Sequence, residues 1–283
     1  MTTTTTGKLV SPFEVPSPTE NLVNPMNNLV MGMIRPVKGK LGRYVFYLNT
    51  SDNPEGRDQH KAIFVAQRVF GCKEIRIGCK YHIYDVSKMA AAKGDDFAEE
   101  TFTKKLDSRF VGEFRRIRKI QAEPYSGYSL YQGRGEKKVQ VQSILFEVSP
   151  MMKALTKTTF RTCSVLAFSE NKNLGACVDK SQLEKSVNAI YKGKKSILSC
   201  QKLQDGIHVH GTKFPVLDTE TGKYVLKFGS RGQEPSRRNT QIGNKDQVTM
   251  QMAKWASDDY SVDFAAPYNA YQAFGFALAH LEH

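Results

Sequence analysis

The sequence lacks the features that mark several large classes of protein. None of its 283 residues belongs to an apolar run of about 20 residues, the length that a membrane-spanning helix requires. The threonine-rich start, Met1–Gly7, contains no apolar segment, so we expect no secretory signal peptide. The five cysteines are odd in number and irregularly spaced, which predicts reduced thiols rather than a disulfide framework. The sequence therefore predicts an intracellular protein.

Signatures of catalysis and of metal binding are also missing. No complete phosphate-binding loop, dinucleotide fingerprint, H-E-x-x-H motif, C-x-x-C pair or nucleophile elbow occurs. His208 and His210 share one face of a predicted strand but lack a clear third ligand, and the acidic residues are scattered. We therefore expect no enzyme, no metal and no cofactor.

Positive charge is the strongest signal that the sequence does contain. The formal net charge is +13 and the sequence pI is about 9.4. A surplus of this size favours a polyanionic partner, either nucleic acid or an acidic membrane surface. Residues 103–160 carry twelve Lys or Arg against five Asp or Glu, so much of the surplus lies in one region.

Three tyrosines in that region favour nucleic acid over a membrane. Tyr125, Tyr128 and Tyr131 recur at every third position of the glycine-rich stretch 123–138, and a basic cluster at 115–119 precedes them. Single strands are held by cations along the phosphates and by rings that stack on the bases, at about 1–3 kcal/mol per base. We expect residues 123–138 to form a mobile flap over a groove.

The predicted nucleic-acid site combines this flap with other basic and aromatic clusters. One of them lies on a strand near the start of the chain, and the others follow predicted helices or lie in the polar stretch 229–245. The full predicted set is Arg43, Tyr44, Phe46, Arg115, Arg116, Arg118, Lys119, Tyr125, Tyr128, Tyr131, Arg134, Lys137, Lys138, Lys192, Lys194, Lys195, Arg237 and Arg238.

The chain is predicted to contain a strand-rich core between two extended arms. Residues 1–35, rich in Thr, Pro and Asn, form the N-terminal arm, and the core covers residues 36–230. Residues 231–280 are read as a basic linker and an acidic-aromatic C-terminal tail, and residues 281–283 as the remnant of an expression tag. Short strands predict a meander or a small barrel; they are Gly42–Asn49, Lys61–Ala66, Glu74–Gly78 and Tyr81–Val86.

Helices are predicted beside these strands. Asp95 and Asp96 begin a helix whose apolar residues, Phe102, Leu106, Phe110, Phe114 and Ile117, recur at intervals of three or four residues. Further helices are predicted at residues 151–160, 181–192 and 249–255, and a long strand at residues 137–148. The expected fold class is α+β.

A long strand, the junction Ser149-Pro150-Met151 and a helix follow one another within Lys137–Leu155, and Tyr44–Asn49 precedes several short strands. This order resembles the single-stranded DNA-binding proteins of large DNA viruses, namely the poxvirus phosphoprotein and the baculovirus DNA-binding protein. The resemblance implies an OB-like antiparallel β-barrel elaborated with helices. It also implies sequence-non-specific, cooperative binding of single strands in viral genome replication and recombination, in the host nucleus rather than the cytoplasm.

Two alternative functions remain open, and several binding partners are expected. The alternatives are a viral RNA-encapsidating nucleoprotein, and a nuclease or annealing recombinase. The expected partners are single-stranded DNA or RNA, other copies of the chain through the terminal arms, and viral replication proteins through the C-terminal tail. No membrane partner is expected. The sequence leaves the preference between DNA and RNA open, because nothing in it clearly reads a 2′-hydroxyl group.

Overall fold

The structure, a computed structural model, is a large antiparallel sheet with one α-helix in the described part of the chain. The described residues are 13, 23–24, 29–49, 60–69, 79–88, 108–116, 126–148, 161–168, 207–243 and 247–283. The strands are β1 Val23–Asn24, β2 Leu29–Val30, β3 Gly32–Pro36, β4 Arg43–Asn49, β5 His60–Arg68, β6 Lys80–Asp85, β7 Phe110–Arg116, β8 Ser126–Gln132, β9 Val139–Val148, β10 Arg161–Phe168, β11 Ile207–Thr212, β12 Val216–Asp218, β13 Lys223–Val225, β14 Thr240–Gly243, β15 Val248–Ala256 and β16 Asp259–Phe264. The helix, α1, is Ala270–Glu282.

Twelve of the described strands follow one another around the fold. From β3 to β11 each strand pairs with the next in the chain, and β14, β15 and β16 continue the sheet. The last strand also pairs with β3, with Tyr260 opposite Ile34 and Ser261 opposite Met33. The first and last of these twelve strands therefore pair with each other, and the strands encircle the interior. β12 and β13 form a separate two-stranded ribbon.

Helix α1 occupies that interior, because it is apolar on every side. The eleven residues Ala270–His280 are all buried, and a helix with no polar face has to be enclosed. Asn269 begins the helix with a capping box, in which its side chain accepts a hydrogen bond from the Gln272 N–H at 2.9 Å. At Gly275 the helix lies so close to the sheet that an added Cβ would be 2.8 Å from Leu130 Cδ2.

Aromatic side chains on the inner face of the sheet position this helix. Phe46 stacks on Phe274 with ring centroids 5.4 Å apart, and the Phe64 ring lies nearly parallel to Phe274 at 6.0 Å. The Tyr271 hydroxyl donates a hydrogen bond of 2.7 Å to the backbone carbonyl of Tyr131. Aromatic pairs of this kind add about 0.5–1.5 kcal/mol beyond their burial, so β4, β5 and β8 all hold the helix.

A buried ion pair lies where the first and last strands of the ring, β3 and β16, meet. The Arg231 guanidinium lies 2.8 Å from the Asp263 carboxylate on β16, and both side chains are almost completely buried. Arg231 also donates a hydrogen bond of 2.7 Å to the Gly32 carbonyl on β3, while the Gly32 N–H donates one of 3.3 Å to Asp263. The pair therefore ties β3 to β16 at the point where the ring of strands meets.

This architecture corrects the predicted OB-like barrel with several helices and extended arms. An OB fold has five strands, whereas the described residues contribute twelve strands to the ring from β3 to β16 and a single helix to its interior. Residues 32–35, assigned to the N-terminal arm, form most of β3 within the sheet. The predicted C-terminal tail supplies β15, β16 and α1, so it lies at the centre of the fold.

Three local predictions are also wrong. Phe110–Arg116 is strand β7 and not a helix, because residues four apart share a face in a strand as well as in a helix. The predicted flap forms strand β8 over Ser126–Gln132, and the predicted helix at 249–255 is strand β15. The helices predicted at 151–160 and 181–192, and the strand Glu74–Gly78, lie outside the described residues.

Replacing Asp263 by Ala tests the seam between β3 and β16. The change leaves the buried Arg231 guanidinium without its counterion, so we expect a loss of about 3–5 kcal/mol in the free energy of unfolding. Urea titration measures the loss. Glu234→Gln, which breaks the solvent-exposed pair with Lys254, is the control and should change the midpoint little. Equal effects of the two changes would contradict the role of the seam.

Candidate functional site: a cationic rim

Basic residues from consecutive strands lie together at one end of the ring of strands, where β3, β5 and β7 finish. Because the strands are antiparallel, β4 and β6 begin at the end where β5 and β7 finish. The register places Arg43 opposite Gln67, Arg68 opposite Tyr81, and Lys80 opposite Arg115. The turn between β3 and β4 closes the same end. We name this set the cationic rim: Lys38, Lys40, Arg43, Arg68, Lys80, Arg115 and Arg116.

Most of the cationic rim faces outward. Tyr81 and Phe114 point into the core, so their neighbours Lys80 and Arg115 point away from it. Arg43 shares the outward row that crosses the sheet through Gln67, with which it forms a hydrogen bond of 2.5 Å. Lys38, Lys40 and Arg116 are exposed, and none of the ion pairs among the described residues involves them.

The Tyr131 ring and hydroxyl hold Arg115 in place on the outer face, and the Glu113 carboxylate pairs with two neighbouring lysines. The Arg115 guanidinium lies 4.4 Å from the Tyr131 ring centroid and donates a hydrogen bond of 3.0 Å to its hydroxyl. Glu113 lies 3.7 Å from Lys80 and 3.3 Å from Lys138. Burial works to raise the pKa of Glu113, but the charges of Lys80 and Lys138 outweigh it and lower that pKa. One carboxylate is therefore shared among several cations, which leaves a positive surface.

The inner edge of the rim meets the C-terminal end of the helix. Arg68 lies 3.8 Å from the Glu282 carboxylate, and the Tyr81 hydroxyl donates a hydrogen bond to the same group. Burial, followed by the charge of Glu282, raises the pKa of the nearby Cys79 thiol to about 12. Arg68 is thus partly neutralised, whereas the exposed Lys38, Lys40 and Arg116 take part in none of the ion pairs among the described residues.

Several residues predicted to bind nucleic acid are instead structural. Phe46 and Tyr128 are 0% and 3% exposed, and Tyr128 stacks on Phe114 with centroids 5.3 Å apart, so neither ring is available to a base. Tyr44 packs against Tyr81 at 6.0 Å. The reason is strand alternation, which turns these side chains toward the core. The expected stacking surface therefore does not exist at these positions.

Arg238 also has a structural task, while Arg237 is exposed. The Arg238 guanidinium donates hydrogen bonds to the carbonyls of His280 and Leu281, at 3.2 and 3.4 Å, and so caps the C-terminus of α1. Residues 281–283, read as a tag remnant, contact the fold: Leu281 packs on the core and His283 stacks on Phe146 at 4.2 Å.

The remaining predicted residues divide between the two ends of the sheet. Arg43, Arg115 and Arg116 belong to the cationic rim, whereas Arg134 and Lys137 lie in the β8–β9 turn at the opposite end. Lys138 follows that turn and donates a hydrogen bond to Glu113, and Tyr131 lies one residue before the end of β8, near the same turn. Six predicted residues fall outside the described residues: Arg118, Lys119, Tyr125, Lys192, Lys194 and Lys195.

The sequence prediction missed four residues of the rim, namely Lys38, Lys40, Arg68 and Lys80. Local signals were present, since the run Lys38-Gly-Lys-Leu-Gly-Arg43 places an apolar residue among three cations in a glycine-rich turn. Arg68 and Lys80 belong to the site only through strand register. No local pattern in the sequence could have linked them to Arg115.

Cys163 and His280, which lie close together, are both buried. Cys163 Sγ lies 3.7 Å from His280 Nε2, but burial raises the pKa of the thiol to about 12, so the nucleophilic thiolate does not form. Across the described ranges, no group of three His, Cys, Asp or Glu could hold a metal ion. A search of the same residues finds no helix that is long and apolar enough to cross a membrane.

Comparisons with known proteins point to one family. The sequence pattern of the Tub family matches residues 24–283. The chain is similar to tubby protein homolog 1 of Caenorhabditis elegans, 32% identical over 90 residues, which are 30% of this chain and 21% of that protein. It is also similar to human tubby-related protein 3, 35% identical over 80 residues, which are 27% of this chain and 18% of that protein. With tubby protein homolog 1 of Caenorhabditis briggsae, 26% identity extends over 145 residues, 49% of this chain and 32% of that protein. The matches therefore cover a third or less of these relatives.

These similarities overturn the resemblance to viral single-stranded DNA-binding proteins. The relatives are proteins of animals, so the viral function, its replication partners and the nuclear replication compartment are wrong. The two alternatives, a viral nucleoprotein and a nuclease or annealing recombinase, have no support among them. The order of strand, Ser-Pro-Met junction and helix misled the comparison, because short segments of that kind recur in unrelated folds.

A buried histidine, His210, gives the fold a dependence on pH that can be measured. Its Nδ1 lies 2.8 Å from the Tyr268 hydroxyl and 3.0 Å from that of Thr249. Burial, and then the neighbouring His208, lower the pKa of His210 from 6.5 to about 4. The folded state then holds fewer protons than the unfolded state between these values, so the contribution of His210 to stability is present above pH 6.5 and is lost as the pH falls toward 4.

His210→Asn tests this assignment, because the amide keeps a polar atom near the two hydroxyl groups but does not titrate. We expect the thermal unfolding midpoint to fall less in the variant than in the unchanged protein between about pH 7 and about pH 5. Calorimetry at both pH values measures the difference. Equal falls in the two proteins would show that His210 does not carry the dependence.

Proposed function

The chain belongs to the Tub family, and from that premise and the geometry of the rim we propose that it is a binding domain for phosphorylated lipid headgroups at a membrane surface. The cationic rim is the binding site. The proposal assigns no catalysis to the described residues, and the names of the three relatives given above state no enzymatic activity. Because the matches cover only part of those relatives, their activities as whole proteins are not carried over.

The observation that carries the proposal is the strand register, which gathers seven cations at one end of the sheet. Among them, Arg68 forms an ion pair with Glu282 and Lys80 forms one with Glu113. Clusters of four to eight Lys or Arg at a protein surface are typical of sites for phosphatidylserine and phosphatidylinositol bisphosphate, at about 1 kcal/mol per cation near the membrane.

The chemistry of the outward-facing groups favours phosphate over other anions. Arg115 presents a planar guanidinium, which matches two phosphate oxygens at once, and Lys80 on the paired position adds a compact charge beside it. Because the Tyr131 ring and hydroxyl hold the guanidinium, less side-chain freedom is lost on binding. A headgroup with more than one phosphate can contact Arg115 and Lys80 together.

The expectation of no membrane partner rested on the lack of a spanning segment. Surface binding requires none, because cations reach headgroups without entering the hydrocarbon core. The preference for nucleic acid rested on three exposed tyrosines, and the burial of Tyr128 weakens that argument.

The paired variant Lys80→Ala, Arg115→Ala tests the proposal. Loss of two headgroup contacts should weaken binding to phosphatidylcholine vesicles that contain phosphatidylinositol bisphosphate by roughly thirtyfold, at about 1 kcal/mol per cation. Vesicle co-sedimentation measures the affinity. Raising the ionic strength should weaken the binding of the unchanged protein as well.

The matched control is Lys88→Ala with Lys137→Ala, which removes the same charge from exposed positions at the opposite end of the sheet. Its affinity should stay close to that of the unchanged protein. Similar losses in both double variants would mean that net charge, and not the rim, drives binding. Equal binding to vesicles of matched charge with phosphatidylserine alone would contradict the preference for phosphorylated headgroups.

A further inference from the structure

The end of the sheet that carries the cationic rim also exposes large apolar side chains. Within the described ranges five such residues are exposed: Leu41 (81%), Val216 (71%), Phe214 (50%), Leu217 (47%) and Tyr224 (47%). Leu41 lies in the β3–β4 turn of the rim, and the other four lie between β11 and β14. Because β11 finishes and β14 begins at the same end as the rim, the β3–β4 turn and the segment between β11 and β14 both project from that end of the ring of strands.

The β3–β4 turn is built to present Leu41. Gly39 and Gly42 adopt positive φ angles of 69° and 68°, which side chains rarely allow, and the Arg43 N–H donates to the Lys40 carbonyl at 3.2 Å. A Cβ at Gly42 would lie 2.6 Å from Arg68 Cβ, so the turn rests directly on β5. The exposed Leu41 is thus held in a tight turn next to the exposed Lys40.

The β12–β13 ribbon is ordered by its own turn. Asp218 accepts hydrogen bonds from the Glu220 N–H at 3.0 Å and from the Thr221 hydroxyl at 2.7 Å, and its carbonyl accepts one from the Gly222 N–H at 2.8 Å. Pairing of Leu217 with Tyr224 then forms the ribbon. A lone two-stranded ribbon is marginal in water, so its exposed apolar residues call for a second environment.

Exposure on both faces of the ribbon indicates what that environment is. Val216 and Leu217 are adjacent and therefore point to opposite faces, yet both are exposed. A partner protein docked on one face would leave the other in water, whereas a lipid interface surrounds both. Lys213 and Lys227 flank the ribbon, and Lys38 and Lys40 precede Leu41. Cations beside apolar groups suit an anionic lipid surface.

We propose that Leu41 and the apolar residues of the β12–β13 ribbon enter the interfacial layer of an anionic bilayer when the cationic rim binds its headgroups. This inference rests on the proposed function and adds an apolar component to it. The Tyr224 ring, next to the polar turn at residues 218–222, takes the headgroup level. Lipid is the partner that contacts both Leu41 and the ribbon.

Binding measurements with two ligands separate this inference from the proposed function. The variant Leu41→Ser with Val216→Ser should bind phosphatidylinositol bisphosphate vesicles about tenfold or more weakly, because two apolar side chains no longer leave water. Its affinity for soluble inositol trisphosphate, measured by calorimetry, should not change. Unchanged vesicle binding would overturn the inference and leave the proposed function standing. If the unchanged protein bound neither ligand, the proposed function would fail with it.

Tryptophan fluorescence gives a second, direct readout. Leu41→Trp in a Trp255→Phe background should shift its emission to the blue on these vesicles and be quenched by brominated lipids. Lys137→Trp in the same background, at the opposite end, should show neither effect. Vesicle binding without a shift at position 41 would sink the inference. Concentration-dependent dimers that disappear in the Leu41→Ser, Val216→Ser variant would instead assign the surface to a second copy of the chain.

Discussion

The burial of helix α1 on every side is the constraint on which the rest of the described fold depends. No side of α1 between Ala270 and His280 suits water, so the sheet has to surround it. A sheet that surrounds a helix brings its first and last strands together, and there the buried pair of Arg231 and Asp263 joins β3 to β16. Desolvating two charges is costly, which makes the pair a device that specifies this closure more than a source of stability.

The same arrangement determines where charge can collect. The inner faces of the strands are committed to the helix, so basic side chains occupy outer faces and strand ends. In an antiparallel sheet, residues far apart in sequence meet at a strand end, as Arg43, Lys80 and Arg115 do. The turns at that end carry the exposed apolar residues, which gives one end of the molecule both components of a lipid-binding surface.

About half of the strands in the ring were predictable from the sequence, and the architecture was not. Alternating apolar residues located β4, β5, β6 and most of β9. The spacing of Phe110 and Phe114 fits a strand as well as a helix, so β7 was assigned wrongly. The central helix was read as a tail, although Asn269 and Gln272 before an uncharged apolar run are a helix-start signal. Arg43, Arg115 and Arg116 were predicted, but their common location depends on a register that no local pattern contains.

The central claim is that anionic lipid headgroups bind the rim end of the sheet. Hydrogen–deuterium exchange of the unchanged protein, with and without phosphatidylinositol bisphosphate vesicles, tests it most directly. The account predicts slower exchange at residues 38–43, at Lys80, at Arg115 and Arg116, and in the ribbon at 214–225, with no change in the turn at residues 133–138. Protection confined to that opposite turn, or no protection at either end while the protein is bound, would contradict it.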